Sequence, residues 1–151
     1  TLNLEELNFP DCIEDSLTSL HHNLEQQGMS LETDLQGEAL IHIDPSRFYR
    51  VYENLANNAI EAMSSGGTLT ITSKVLDEHL IMTVSDTGHG MEAEVLSKVF
   101  DEFFTHKKHG GTGLGLAIVK SIVADHSGEI AVESILDQGT TFTIKLPILN
   151  P

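Results

Sequence analysis

Residues 45–63 read PSRFYRVYENLANNAIEAM, and this stretch decides the fold class. Its apolar side chains recur at helical spacing and form one stripe: Phe48, Val51, Leu55, Ala59 and Ala62. Asp44 and Pro45 stand directly before the stripe, where a helix takes its cap and its first residue. The pattern therefore predicts a helix over roughly 45 to 63 whose apolar stripe lies against a sheet.

Pairs of alternating segments lie on both sides of this helix and predict strands. Three pairs are predicted as hairpins: MSLETDL with ALIHI around the turn QGE, TLTITSKVL with LIMTVSD around Asp77 and Glu78, and EIAVESIL with TTFTIKLP around DQG. Two more helices are predicted, one opened by a capping-box pattern at Asp11 and Glu14 and ended by Gly28, and one over TGLGLAIVKSIVADH. EAEVLSKV predicts a short helix, and FDEFFTHKKHGG a mobile loop.

The order of these elements predicts an α+β fold. Because each helix is followed by a pair of strands, we expect a two-layer α/β sandwich with helices on one face of the sheet. The sheet should be mixed and mostly antiparallel, and its other face partly solvated or held for a partner domain. The 151 residues suit one compact domain.

The charge composition of the chain excludes some classes of binding partner. The chain has 23 acidic and 8 basic residues, a net charge of −15, which would repel nucleic acid and anionic membranes. We expect no nucleic-acid partner and no membrane contact. The single cysteine, Cys12, suits a reducing compartment, and there is no long apolar run or leader, so a cytoplasmic location is expected.

Asn54 and Asn58 lie four residues apart on the predicted helix and therefore on one face. Taken alone, such amides more often brace a neighbouring loop. An amide oxygen is also a hard, neutral ligand that suits magnesium, which takes few protein ligands.

The loop Asp86-Thr87-Gly88-His89-Gly90 follows a predicted strand. One interpretation is a plain turn into a helix, and Gly88, Gly90 and Ala93 also fit the loose dinucleotide fingerprint. Asp86 argues against that fingerprint, because its charge would face a pyrophosphate. A carboxylate here is suited to accept a hydrogen bond from an adenine amino group.

Residues 110–116, GGTGLGL, open a predicted helix. Glycines bring the backbone close to a ligand, and the helix N-terminus offers free N–H groups to phosphate oxygens. The spacing of Gly110 and Gly115 matches a Walker loop, but Leu116 occupies the position of the required lysine. These glycines favour phosphate binding of another kind.

Together the motifs resemble the GHKL superfamily of gyrases, heat-shock chaperones, MutL proteins and histidine kinases, and the histidine-kinase branch fits best. The resemblance runs from about Leu4 to Pro147 and keeps the family's order of boxes: NLANNA, DTGHG, FDEFF, GTGLGL and GTTF. It implies a Bergerat-type ATP-binding fold that uses ATP and magnesium.

Carried over by position, the resemblance implies a set of nucleotide contacts. These are Asn58 to magnesium, Asp86 to adenine with Gly88 and Gly90 around the base, Lys107 to the terminal phosphate, Gly111, Thr112, Gly113, Leu114 and Gly115 along the phosphates, and Thr140 near the adenine with an ordered water. The stretch from about 91 to 111 would be the ATP lid. Phe100, Phe103 and Phe104 either anchor the lid in the core or dock partner helices.

This chain departs from the family pattern at Glu61, because many relatives carry a basic residue soon after the magnesium asparagine. Neutralising the phosphates would then depend more on Lys107 and the metal.

Asn54 indicates which reaction the domain supports. Gyrase-type ATPases and related serine kinases place a glutamate at this position as a base, whereas an amide cannot take a proton. Glu53 is adjacent, but one residue turns a helix by about 100°, which points it away from Asn58. A neutral imidazole already has a free lone pair, so histidine phosphorylation is favoured, with Asn54, Asn58 and Lys107 as the catalytic set.

The acceptor is expected on another domain. None of the eight histidines is followed by the acidic residue and nearby proline of the family's phosphorylation site. Residues 1–10 resemble the end of the linker after the dimerisation helices, and 11–151 the ATP-binding catalytic domain. The expected partner is the dimerisation and histidine phosphotransfer domain of the parent kinase, with a response regulator reached indirectly. The alternatives are a nucleotide-binding regulatory module without transfer and an anti-sigma-factor-type serine kinase.

Overall fold

A computed structural model describes residues 2–64, 66–101 and 115–148. In chain order, the elements are β1 (Glu5–Asn8), α1 (Phe9–Gln26), β2 (Met29–Leu35), β3 (Leu40–Ile43), α2 (Pro45–Ala62), β4 (Gly67–Leu76), β5 (His79–Asp86), α3 (Ala93–Leu96), α4 (Gly115–Asp125), β6 (Glu129–Ile135) and β7 (Gly139–Pro147). No helix in these ranges is long and apolar enough to cross a membrane.

Five strands form one mixed sheet in the order β2-β4-β5-β7-β6. The pair β2 and β4 is parallel, and the other three pairs are antiparallel. The predicted fold class is confirmed, since the helices α1, α2 and α4 pack against one side of this mostly antiparallel sheet.

The predicted hairpin of MSLETDL with ALIHI is wrong. β2 pairs in parallel with β4, from Met29 opposite Gly67 to Leu35 opposite Ser73, while β3 pairs with β1 in a separate two-stranded sheet. The connecting residues continue along β4, because the Gln36 N–H donates to the Ser73 carbonyl at 2.8 Å. Alternation of apolar and polar residues indicates a strand but not the strand it pairs with. The partners of β2 and β3 are both distant in sequence.

The start of α1 also differs from the prediction. The helix begins at Phe9, Asn8 is its extended N-cap residue, and Asp11 lies within the first turn. Phe9 is fully buried and packs edge-on against Phe48, with ring centroids 5.9 Å apart. Burial of this aromatic ring extends the helix beyond the capping-box pattern at Asp11, whereas the predicted end near Gly28 (φ +74°) is confirmed.

Burial alternates along the central strands. The side chains that face the helices form the core of the sheet: Leu69, Ile71, Leu80, Met82, Val84, Phe142, Ile144 and Leu146. The opposite face carries half-buried hydroxyls: Thr70, Thr72, Thr83, Ser85, Thr141 and Thr143. Within the described residues, the three longer helices therefore cover one face of the sheet, as the order of elements predicted.

The two outer strands of the five-stranded sheet carry exposed carboxylates. Glu32 and Asp34 lie on β2, and Glu129 and Glu133 lie on β6. All four are solvent-exposed.

Asp44 joins the N-terminal segment to the two long helices that position the site. Its Oδ1 accepts from the Arg47 N–H at 3.2 Å, the predicted cap, and its Oδ2 accepts from the Asn3 N–H at 2.9 Å. The hydrogen bond from Asn3 is the main cause that lowers the pKa of Asp44. Its own N–H donates to Nε2 of the buried His126 at 2.9 Å, and Nδ1 of His126 donates to the Ile122 carbonyl at 2.8 Å. This network holds the start of α2 against the end of α4.

Ser73 is expected to weaken the fold, and Ser73→Ala should raise the free energy of unfolding by about 1 kcal/mol. The side chain faces the helices, is 2% exposed, and its Oγ has no hydrogen-bond partner among the described residues. Alanine removes this unpaired hydroxyl. Urea unfolding followed by circular dichroism measures the change.

Ser85→Ala is the matched control on the other face, because the Ser85 hydroxyl bonds to Thr141 Oγ1 at 2.7 Å. It should lower the free energy of unfolding by about 1 kcal/mol. A lower unfolding midpoint for Ser73→Ala would contradict the prediction.

Candidate functional site

A cavity of about 130 Å³ lies where the end of α2, the loop after β5 and the start of β7 meet. Its lining residues come from all three segments: Asn58, Glu61, Ala62, His89, Gly90, Met91 and Thr140. Three residues predicted for the site, Asn58, Gly90 and Thr140, therefore face one space.

The loop after β5 packs tightly between α2 and the β6–β7 turn. A Cβ on Gly88 would lie 2.4 Å from the Ala62 carbonyl oxygen, and one on Gly90 (φ +67°) would lie 2.1 Å from the Ile135 carbonyl oxygen. The His89 backbone reinforces both contacts, donating to Ala62 O at 3.0 Å and accepting from the Asp137 N–H at 2.7 Å. Only glycine fits at 88 and 90, so this wall of the cavity depends on both.

Asp86 is buried at the end of β5, directly behind this wall. Its Oδ1 accepts from the Gly88 N–H at 2.8 Å, and the carboxylate also accepts from the backbone of Thr140. Burial raises the pKa of Asp86 above its ordinary value, although these two hydrogen bonds and the nearby His89 oppose the shift. Asp86 does not line the cavity itself but is joined to it through Thr140.

Ser134 connects the two walls of the cavity. Its Oγ accepts from the Met91 N–H at 2.8 Å and lies 2.7 Å from Thr140 Oγ1 and 3.1 Å from the Gly139 carbonyl oxygen. The motifs did not indicate this residue. The signal was the pairing of β6 with β7, which sets Ser134 directly opposite Thr140.

Asn54 and Asn58 of α2 have different surroundings. Asn58 lines the cavity, and its side chain makes no hydrogen bond to any other described residue. The Nδ2 of Asn54 donates to the Arg50 carbonyl at 2.9 Å. A Cβ on Gly115 would lie 3.2 Å from Asn54 Oδ1, so the first residue of α4 stands beside this amide, whereas Glu53 is solvent-exposed.

Other predicted site residues fall outside the described ranges. Lys107, Gly111, Thr112, Gly113 and Leu114 lie there, together with Phe103, Phe104 and the rest of residues 102–111 of the predicted lid. Phe100 is described, and it packs edge-on against the core residue Phe142 with ring centroids 6.2 Å apart. For Phe100, this contact agrees with the interpretation as an anchor in the core.

Four lining residues were not predicted as site residues: Glu61, Ala62, His89 and Met91. Ala62 lies four residues after Asn58 and so on the same face of α2, a spacing that could have indicated it. His89 and Met91 flank Gly90 and reach the cavity through the turn at that glycine.

The donor set fits magnesium better than a transition metal. The described residues contain no group of three or more histidine, cysteine or acidic side chains arranged to hold a metal. The amide oxygen of Asn58 is a neutral hard ligand at the edge of the cavity, and magnesium accepts few protein ligands when phosphates supply others.

One protein family matches most of the chain. The profile described as "Histidine kinase-, DNA gyrase B-, and HSP90-like ATPase" matches residues 43–150, which include the cavity and the start of α4.

Curated relatives include sensor kinases. The chain is 37% identical over 150 residues to the sensor histidine kinase ZraS of Salmonella typhi. The aligned region covers 98% of this chain and 32% of that protein. It is 34% identical over 146 residues to sporulation kinase E of Bacillus subtilis (strain 168). That aligned region covers 95% of this chain and 20% of that protein. The chain thus spans about a third or less of the length of these relatives.

Solved structures of similar fold include histidine kinases. The catalytic domain of histidine kinase ThkA superposes with a TM-score of 0.86 at 28% identity, covering 97% of this chain and 96% of that one. The Acinetobacter baumannii histidine kinase AdeS superposes with a TM-score of 0.80 at 30% identity, covering 99% of this chain and 70% of that one.

Proposed function

Because this chain belongs to the family of histidine kinase-, DNA gyrase B- and HSP90-like ATPases, we propose that it is the ATP-binding catalytic domain of a sensor histidine kinase. Its reaction would be transfer of the γ-phosphoryl group of ATP to a histidine on a separate dimerisation and phosphotransfer domain. A response regulator would receive the group afterwards, and the reaction would take place in the cytoplasm.

The cavity supports a position for the nucleotide. Asp86 and Thr140 would receive the adenine, with Gly88 and Gly90 allowing the base to lie close to the backbone. The described residues enclose about 130 Å³, less than the roughly 300 to 1,000 Å³ of pockets that take a drug-sized ligand, so they would hold the base and not the whole nucleotide. The phosphates would extend towards the start of α4 at Gly115, and the resemblance implies that backbone N–H groups of Gly111 and Gly113 and the charge of Lys107 would contact them.

Asn58 would hold magnesium on the phosphates, since its amide oxygen is a neutral hard ligand in the cavity wall. When bound, magnesium neutralises negative charge on the phosphate oxygens. Glu61 lines the same cavity and adds negative charge there, which makes the contributions of the metal and Lys107 larger.

The observation that carries the choice of reaction is the environment of Asn54. Its side chain bonds to the Arg50 carbonyl and faces Gly115, at the position where a gyrase-type enzyme has a glutamate base. An amide cannot remove a proton from water or from a hydroxyl group, so this geometry favours an acceptor that needs no base.

Histidine is such an acceptor. The lone pair of a neutral imidazole nitrogen forms the N–P bond while the bond from the γ-phosphorus to the bridging oxygen breaks. ADP leaves with that electron pair, and the proton on the other ring nitrogen is released to solvent. Without the acceptor in line, positioning is lost, and ATP hydrolysis should be slow.

The test is labelling with γ-radiolabelled ATP. We expect no label on this chain alone, and label on a separately produced dimerisation domain of the same parent protein when the two are mixed. The product should lose its label in acid and keep it in base, as phosphohistidine does. Calorimetry on the same samples measures ATP binding independently.

Each other outcome points to another function. Label on the chain alone, or an acid-stable phosphoester on the added domain, would indicate a self-modifying or serine-kinase-like enzyme. ATP binding without any transfer to the added domain would indicate a nucleotide-binding regulatory module.

A further inference from the structure

We infer that Ser134 is a positioning residue for base recognition, which holds the Thr140 hydroxyl with its lone pairs towards the cavity and so favours a purine that carries an amino group. The inference rests on the proposed function, since it concerns the nucleotide bound by the same cavity. None of the sequence motifs includes Ser134, which lies on the neighbouring strand β6.

The Ser134 hydroxyl has three polar neighbours and one proton. The Met91 N–H, at 2.8 Å, can only donate to it, and the Gly139 carbonyl, at 3.1 Å, can only accept from it. Thr140 Oγ1, at 2.7 Å, can do either. If Ser134 gives its proton to Gly139, Thr140 must donate to Ser134, and all three contacts are then hydrogen bonds.

This arrangement fixes what Thr140 presents to a ligand. Thr140 is 4% exposed and lines the cavity, so few other partners compete for its proton. With that proton directed at Ser134, the oxygen offers only lone pairs to the cavity. An adenine amino group can donate to them directly, whereas the carbonyl of a 6-oxopurine cannot.

The contact with Met91 adds a second effect on the same space. Met91 and Gly90 line the cavity, and the Met91 N–H is tied to Ser134. Ser134 thereby holds the loop after β5 at a fixed distance from β7. Without the Ser134 hydroxyl, the Thr140 proton should no longer be held in one direction, and the loop after β5 should no longer be held at a fixed distance from β7.

The experiment compares ATP with ITP, whose base has a carbonyl in place of the amino group. For Ser134→Ala, we expect the ratio of ATP affinity to ITP affinity to fall about 3- to 10-fold, the effect of one neutral hydrogen bond. Ser134→Thr keeps the hydroxyl and should restore the ratio. In a Thr140→Val background, Ser134→Ala should change the ratio no further, because the group through which it acts is gone.

Ser73→Ala is the matched control, since Ser73 is a buried strand serine whose hydroxyl has no hydrogen-bond partner among the described residues and which lies outside the cavity. It should leave the ratio unchanged. Thermal unfolding of each variant shows that it is folded, and Ser134→Cys, nearly equal in size with a weaker hydrogen-bonding group, should lower the ratio in the same direction if Ser134→Ala does not fold.

Two results would overturn the inference in distinguishable ways. If Ser134→Ala lowers ATP and ITP affinity by the same factor, Ser134 supports the cavity without selecting the base, and the proposed function is unaffected. If the unmodified chain binds neither nucleotide, the proposed function fails and this inference fails with it.

Discussion

Replacing Asp86 with asparagine is expected to weaken ATP binding by about 100-fold and to make ITP the better ligand of the two. In the proposed complex, the ionised carboxylate accepts from the adenine amino group. The amide oxygen of asparagine would keep the bond from the Gly88 N–H, and in the proposed complex its NH₂ group would take the place of the second carboxylate oxygen, towards the base. Two donors then face each other, and a charged hydrogen bond worth about 1.5 to 3 kcal/mol is lost.

ATP affinity should also depend on pH in a defined direction. Burial raises the pKa of Asp86, so its carboxyl group protonates at a higher pH than an ordinary aspartate. The ionised form is the stronger acceptor for the amino group. Affinity should therefore fall as the pH is lowered through the raised pKa, and this dependence should be absent from Asp86→Asn.

Calorimetric titration with ATP and ITP over a range of pH measures both effects. Asp137→Asn is the matched control, because Asp137 is exposed in the neighbouring turn and has φ +64°, which asparagine tolerates well. It should behave as the unmodified chain. If Asp86→Asn kept the preference for ATP, Asp86 would have no role in reading the base.

The second large effect is expected at Asn58. Asn58→Ala should reduce affinity for ATP in the presence of magnesium by at least about tenfold and should abolish transfer to the added dimerisation domain. The residue lines the cavity, and its amide makes no hydrogen bond to another described residue, so its removal breaks no side-chain hydrogen bond within the described residues.

The neighbouring residue provides the control for Asn58. Asn57 is also an asparagine of α2 but is solvent-exposed, so Asn57→Ala has the same chemistry on another face of the helix. It should leave affinity and transfer unchanged. With a chelator in place of magnesium, Asn58→Ala and the unmodified chain should bind ATP equally. A persistent difference would mean that Asn58 contacts the nucleotide and not the metal.

The fold could be predicted from the sequence where the determining interactions are local. The cap at Asp44 and the turn at Asp77 and Glu78 hold as predicted, with φ of +51° and +62° at the turn. The partners of β2 and β3 could not be predicted, because Met29 to Leu35 align with residues nearly 40 positions later and the alternation of apolar residues is the same for any partner.

The residues of the candidate site could also be predicted from the sequence only in part. Asn58, Gly90 and Thr140 were predicted to share a ligand and do line one cavity, with Asp86 joined to it through Thr140. Ser134 could not be predicted, because a single serine in a strand has no distinguishing pattern. Its position depends on the register that places it opposite Thr140.

The carboxylates on the two outer strands bear on how copies of the molecule meet. An open strand edge offers unpaired N–H and C=O groups to any second sheet, and this is a common route to aggregation. If two copies met through β2, the exposed Glu32 and Asp34 of one would approach those of the other, and Glu129 and Glu133 would do the same through β6. With a net charge of −15, the chain has long-range repulsion in addition. The charge on its two outer strands thus opposes edge-to-edge pairing of two sheets.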